Sequence, residues 1–308
     1  MAYGVCSQCG SINKILTEEE YRNLGASYDP GGLLENHDEK ILRLYLSVDK
    51  RRAELESVSL KLPARGISSP PLRLLDIGCG MGGYLLAGRE LGFDVYGVEP
   101  SESHSYIGRQ VFGLPITTAY FDKSKFDPAS FDLVVLSHVI EHIFDPAEFM
   151  IDVAQVLKPN GVILVLTPNA GSTLAAISGS VWSMLAPVDH VTMMTPDSLR
   201  ALTPSGFAFS VRTDENLWEP AVVLLQALRN RFRSRRLASS VAAQPEPAVG
   251  SKNSFRGTIA VINSNVAARS LLSLLSLPMW LADRAIGRAH CLVAQYRKPN
   301  LPAAVRLL

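Results

Sequence analysis

The sequence predicts an α/β fold built on a doubly wound parallel sheet, and three observations lead there. From Leu72 onward, short apolar runs alternate with helical patterns. Two of these runs, 131–137 and 162–167, are apolar at nearly every position, as expected of strands covered on both faces. The run beginning at Leu72 passes straight into Gly78-Cys79-Gly80-Met81-Gly82-Gly83 and then into a helical pattern. The chain has 308 residues, 47% hydrophobic and 19% charged, enough to bury a sizeable core and too apolar for a wholly disordered or collagen-like protein.

Taken in order, residues 1–34 read as irregular, with Cys6-Ser7-Gln8-Cys9-Gly10 and then a turn at Asp29-Pro30-Gly31-Gly32. Residues 35–62 predict a helix, because Ile41, Leu44, Tyr45, Val48, Leu55 and Val58 recur at three- and four-residue spacings. Pro63, Gly66, Pro70 and Pro71 mark a linker. Strand 72–77, helix 83–91, strand 94–98, helix 103–112 and a weak strand 115–118 follow, then strand 131–137. Asp145 as N-cap with Pro146 after it starts a helix to 157, and Thr195-Pro196 starts another. Lys158-Pro159-Asn160-Gly161 reads as a turn before strand 162–167, and 207–213 and 291–297 alternate as strands.

The segments expected are therefore an N-terminal part (1–69), a core (70–213), a helical insertion (214–289) and a last strand with tail (290–308). The insertion combines an apolar helix, Arg229, Arg231, Arg233, Arg235 and Arg236, a flexible linker near 238–256, and an apolar stretch at 266–286. A lid over an acceptor pocket and a peripheral membrane contact are both open readings of it.

Thirty Lys plus Arg against 29 Asp plus Glu leave a net charge of +1, which provides no global attraction for nucleic acid. Four cysteines make no disulfide scaffold. Residues 1–14 lack a secretory pattern, and no run of ~20 apolar residues occurs. A cytoplasmic protein is expected, with membrane association at the inner face left open through residues 214–289.

The glycine loop supports two cofactor readings. Gly78, Gly80 and Gly83 satisfy the dinucleotide pattern G-x-G-x-x-G. Asp76 before them gives D-x-G-x-G-x-G, which fits an adenosine ligand without a pyrophosphate. Glu99, ending the second strand, can accept both hydroxyls of a ribose in either case.

Four segments in this order and spacing are Leu74 to Gly83, Val95-Tyr96-Gly97-Val98-Glu99-Pro100-Ser101, Phe131 to His142, and Leu157-Lys158-Pro159-Asn160-Gly161-Val162-Ile163-Leu164. Through them the chain resembles the class I S-adenosylmethionine-dependent methyltransferases, in particular the quinone-precursor and saccharide or natural-product enzymes. The resemblance implies a Rossmann-like seven-stranded sheet whose last strand is antiparallel. It implies that Asp76, Gly78, Gly80 and Gly82 line the methionine end of S-adenosylmethionine, that Glu99 binds the ribose, and that Phe121 or Asp122 flanks the adenine. Ser137 and His138 would lie close to the sulfonium.

The expected function is methyl transfer to a small molecule, as O-methylation of a saccharide, natural-product or lipid-linked acceptor. C-methylation of such an acceptor and a catalytically inactive cofactor-binding partner subunit are the alternatives. A hydroxyl acceptor must lose a proton, and histidine suits that near neutral pH. His138, His142 and His190 are the candidates, the first two within His138-Val139-Ile140-Glu141-His142. Similar quinone-precursor enzymes carry E-x-x-E-H there, a pattern tied to a divalent metal. With His138 in place of the first Glu, no metal is expected at that motif. Cys6 and Cys9 look like half of a zinc ribbon, but the sequence holds no second such pair, so a remnant or a truncated start of such a segment is the reading and a vestigial turn is expected rather than a zinc site.

Overall fold

The computed structural model describes residues 3–26, 37–62, 70–185, 187–214, 274, 277–283 and 285–300. Most of the insertion expected at 214–289, including its arginine cluster and linker, lies outside the described residues. Two compact units are present. The first comprises residues 1–168, 191–212 and 292–308, the second 169–190 and 213–291.

A seven-stranded sheet organises the first unit. Its strands are β3 (Arg73–Ile77), β4 (Asp94–Glu99), β5 (Ile116–Thr118), β6 (Phe131–Ser137), β7 (Leu157–Pro168), β9 (Ala208–Asp214) and β10 (Cys291–Arg297), in the order β5-β4-β3-β6-β7-β10-β9. The pairs β3–β4, β3–β6, β4–β5 and β6–β7 are parallel. β10 runs the other way: Lys298 N–H donates to Gly161 O near the start of β7, while Asn169 N–H, just past its end, donates to His290 O. The order reverses at β3, so the loops leaving β3 and β6 open at the sheet's switch point, where ligands of such sheets bind.

Both faces are covered, which explains the continuous apolar strands. Leu74, Leu133, Val135, Val162 and Leu164 pack in one cluster with residues of α2 (His37–Ser59), α3 (Gly83–Glu90) and α4 (Glu102–Phe112). Leu75, Ile77, Val134, Leu136, Ile163 and Val165 pack in the other, with α5 (Pro146–Val156) and α7 (Pro196–Ala201). The caps read from sequence are made: Asp145 Oδ1 accepts from Ala147 and Glu148 N–H, and Thr195 forms a capping box with Ser198.

Two expectations are corrected. Lys158-Pro159-Asn160-Gly161 is not a turn ahead of the strand but part of β7. Phe131 pairs with Leu157 and Leu133 with Val162, so three extra residues bulge out of β7, with Asn160 at φ 63°. Residues 1–34 are not all irregular. β1 (Tyr3–Val5) and β2 (Ile12–Lys14) form a hairpin, and β2 also pairs with β8 (Thr192–Met193), giving the order β1-β2-β8. Helix α1 (Glu18–Ala26) opens on a capping box, in which Glu20 N–H donates to Thr17 Oγ1 and Thr17 N–H to Glu20 Oε2 at 2.7 Å.

In the second unit, α6 (Thr173–Ser178) is capped by Ser172, Trp182 is buried edge-on to His290, and Asn169 Nδ2 donates to Ala289 O. Among the described residues, no helix is long and apolar enough to cross a membrane.

Candidate active site

The loop from β3 into α3 carries the glycines, each for its own reason. Gly78 has φ +68°, and a Cβ there would meet Val139 Cγ2 at 2.5 Å. At Gly82, φ is +92° and a Cβ would meet Leu114 Cδ1 at 2.3 Å. Those two let the loop fold against the sheet's loops. Gly80 differs: at φ +56° its missing side chain would face open space, with nothing within 4 Å. Its bare backbone is therefore the part of the loop a ligand can approach.

Two acids meet beneath the loop. Glu99 is buried at the end of β4, its Oε2 accepting from Gly80 N–H at 2.8 Å and its Oε1 from Ser101 N–H at 2.9 Å. Burial raises its carboxyl above the usual range, and the two N–H groups hold it partly down. Asp76, at 1% exposure, has no hydrogen-bond partner at Oδ1. Burial pushes its carboxyl well up, the Arg51 charge opposes this, and the Glu99 charge adds to it. Arg51, from α2, lies where a Gly83 Cβ would be, with Nε at 2.8 Å from that point, and over the Tyr84 ring. Two buried carboxyls, one with an orphan oxygen, suit a ligand that brings positive charge and hydroxyls.

At the end of β6, Ser137 is half-buried and His138 adopts φ 57°, in the left-handed region that is costly for a residue with a side chain. The turn aims His138 Nδ1 at Glu141 Oε1, 3.1 Å away. Since a carboxylate accepts, Nδ1 donates, and Nε2 becomes the basic nitrogen of the neutral ring. The His138 side chain is 57% exposed and that of Glu141 0%. Glu141 Oε2 also accepts from Thr167 Oγ1 at 3.0 Å. Burial pushes Glu141 up, but the His138 hydrogen bond and the charges of His138 and His142 outweigh it and leave the carboxyl below its usual range.

His142 ends a short 3-10 turn, and its carbonyl accepts from Tyr21 OH. His190 belongs to the second unit, where its Nδ1 donates to Met184 O at 2.7 Å. Phe121 follows β5 and stacks on Phe126, with Phe149 edge-on. Asp122 is exposed and caps the 3-10 turn Lys123–Lys125 through Ser124 N–H. Sequence reasoning did not single out Glu141, Thr167 or Arg51. Glu141 was visible within the His138 to His142 motif, whereas nothing in the sequence pairs Arg51 with Asp76.

A seven-stranded sheet with a reversed last strand, a D-x-G-x-G-x-G loop and an acid closing the next strand define the class I S-adenosylmethionine-dependent methyltransferase fold. A methyltransferase-domain family model matches residues 47–207, and the chain belongs to that family. The ubiquinone biosynthesis O-methyltransferase of Rhodopseudomonas palustris is 36% identical over 119 residues, covering 37% of this chain and 47% of its own. A protein of the same name from a Bradyrhizobium species is 32% identical over 166 residues, 46% of this chain and 64% of its own. The chain thus spans about half to two thirds of the curated relatives it matches. A phosphoethanolamine N-methyltransferase of Haemonchus contortus, solved with S-adenosyl-L-methionine, shares the fold at TM-score 0.51 and 18% identity over 92% of this chain and 60% of its own. S-adenosylmethionine is the cofactor of this fold class. The orphan Asp76 oxygen and the open face of Gly80 fit its ammonium and its chain.

Proposed function

We propose that this protein is an S-adenosylmethionine-dependent O-methyltransferase acting on a hydroxyl of a small molecule, with His138 as general base. The observation that carries the reading is the His138–Glu141 pair at the mouth of the switch point: a strained, exposed imidazole whose Nδ1 is held by a buried carboxylate. When bound, S-adenosylmethionine supplies an electrophilic methyl group on sulfur. Asp76 meets its ammonium and Glu99 its ribose hydroxyls, Gly78, Gly80 and Gly82 shape the loop along it, and Phe121 or Asp122 flanks the adenine. His138 Nε2 would take the proton of the acceptor's hydroxyl, leaving the oxygen able to receive the methyl group that the cofactor would supply. Glu141 holds the ring in the required tautomer and stabilises the imidazolium that results.

The names of the sequence relatives favour a phenolic, quinone-precursor type of hydroxyl over a saccharide one. Such an acceptor is amphiphilic. Exposed Leu274, Leu277, Leu281 and Ile286 in the second unit support a peripheral membrane contact through 214–289. The test is transfer of radiolabelled methyl to a panel of catechols, other phenols and saccharides, with wild type and His138→Ala. Transfer to a hydroxyl that falls by about a hundredfold or more in the variant, with S-adenosylhomocysteine affinity retained, supports the reading. Wild-type transfer that the variant leaves unchanged overturns the role of His138. Binding of NAD in place of S-adenosylhomocysteine overturns the reading as a whole.

A further inference from the structure

The N-terminal segment takes no part in the proposed chemistry, yet it grips the turn that carries it. Thr17 and Glu20 cap α1, and Tyr21 N–H donates to Thr17 O at 3.0 Å, so the first turn of the helix is fixed from its start. From that turn the Tyr21 OH donates to His142 O at 3.0 Å, and its ring lies against Phe144 with centroids 5.2 Å apart. Tyr21 is half-buried, and burial raises its hydroxyl above the usual phenol range, which keeps the proton that this bond needs.

A second contact comes from the same segment through one intermediary. Val191 N–H donates to Glu141 O at 2.8 Å, and Val191 O accepts from Lys14 N–H at 2.8 Å. Lys14 ends β2, shortly before α1. Glu141, Val191, Lys14, Tyr21 and His142 therefore close a circuit, in which two successive carbonyls, those of Glu141 and His142, are held from the N-terminal side.

Those two residues belong to the turn on which the proposed base depends. Ile140–His142 is a single 3-10 turn, with His142 N–H donating to Val139 O at 2.9 Å and Ile143 N–H to Ile140 O at a longer 3.3 Å. The hydrogen-bond geometry of such turns is poor, so their outer end is set by what holds it. Just ahead of it, His138 sits at φ 57°, and Glu141 within it must stay 3.1 Å from His138 Nδ1. A displacement of about 1 Å in such an arrangement can cost up to about a hundredfold in rate.

We propose that Tyr21 is a positioning residue of the methyl-transfer site. By holding His142 O it keeps Glu141 and the His138 ring in register for proton removal, and α1 is thereby part of the active site. The inference rests on the reading of His138 as general base.

The test compares the full-length wild type with Tyr21→Phe and His138→Ala. Phenylalanine keeps the ring for Phe144 and removes only the donor. With an ordinary phenol at saturating S-adenosylmethionine, kcat of Tyr21→Phe should fall about three- to tenfold at unchanged KM, the size of one lost hydrogen bond. With an acidic nitrophenol, already ionised at assay pH, the fall should be less than about twofold. Hydrogen exchange of the His142 and Ile143 amides should quicken by about the same three- to tenfold, a readout that needs no acceptor. Equal losses on the two phenols would make Tyr21 a purely structural residue and overturn the inference. So would an unchanged kcat on the ordinary phenol, or unchanged exchange. His138→Ala separates the two readings: if it too leaves transfer to the ordinary phenol intact, the general-base reading falls, and if only Tyr21→Phe does, the positioning role falls alone.

Discussion

Asp76→Asn should make the free protein more stable and its cofactor binding weaker, and the opposite signs make it the sharpest test of the site. Asp76 Oδ1 is buried with no hydrogen-bond partner, and the Glu99 charge lies close by. Leaving a buried acceptor unsatisfied costs about 1–3 kcal/mol, and more when it is charged. Burial raises the folded-state pKa of Asp76 above its unfolded value. The folded state therefore binds more protons in that interval, and stability falls as pH rises from the ordinary carboxylate range through the raised pKa. Above it the penalty is complete, and Asn removes the part due to charge while leaving a neutral polar atom at Oδ1. A gain of about 1–3 kcal/mol corresponds to a Tm rise of about 2–12 °C for a unit of this size, larger at pH 8 than at pH 5. The amide cannot neutralise an ammonium, so affinity for S-adenosylhomocysteine should fall about ten- to a hundredfold. Thermal melts at the two pH values, with calorimetry at pH 8, read both. A variant less stable than wild type at pH 8 would refute the penalty, and unchanged affinity would refute the placement of the ligand's ammonium.

Glu99→Gln should behave in the opposite way in the free protein, because one of the two N–H donors, from Gly80 or Ser101, would face an amide NH2; a loss of about 1–3 kcal/mol is expected by chemical denaturation, together with weakened cofactor binding. Gly78→Ala should cost about 1–2 kcal/mol for its positive φ plus a clash with Val139 Cγ2, so adding Val139→Ala should restore only the clash component in the same denaturation series. Glu141→Gln should lower kcat by about tenfold or more on an ordinary phenol, and far less on an acidic nitrophenol that is already ionised at assay pH; equal losses on both would assign Glu141 a purely structural role. Removal of residues 214–289 should abolish flotation with anionic liposomes, and flotation unaffected by the deletion would end the membrane reading.

The sheet was legible because its physics is local. Strands 131–137 and 291–297 agree with β6 and β10 to the residue, since buried strands are marked by composition and bounded by turns. Helices opened by Asp145 and Thr195 were legible through their caps. What escaped depends on distant partners. β1 and β2 are three residues each, too short to show alternation, and they are held by β8 near residue 192. The Asn160-Gly161 pair carries the signature of a turn, but its left-handed residue serves a bulge whose neighbours continue the ladder with β6. In the site, Asp76 and Glu99 were identifiable from the loop and the strand end. Their mutual burial, and the charge Arg51 brings from α2, were not, because the pairing of β3 with β4 brings the two acids together and the packing of α2 on α3 brings Arg51.

On the proposed reading, that packing explains why two acids are kept where neither is comfortable. Glu99 holds two backbone N–H groups and so braces the loop while waiting for a ribose. Asp76 braces nothing through Oδ1, and its burial weakens the free protein. An oxygen that is costly when empty is useful if the ligand's ammonium relieves the cost, because relief adds to affinity what it removes from the stability of the free state. The same logic applies at His138, whose left-handed backbone is unfavourable except that it turns Nδ1 onto Glu141 and presents Nε2 for the acceptor's proton. Replacing His138 by Gly should abolish hydroxyl methylation and destabilise the fold, because the relaxed backbone, worth about 1–2 kcal/mol, is offset by the lost partner of the buried Glu141 carboxylate and by the entropy glycine adds to the unfolded chain; a variant that still methylates a hydroxyl at the wild-type rate would refute the role of His138 in proton transfer.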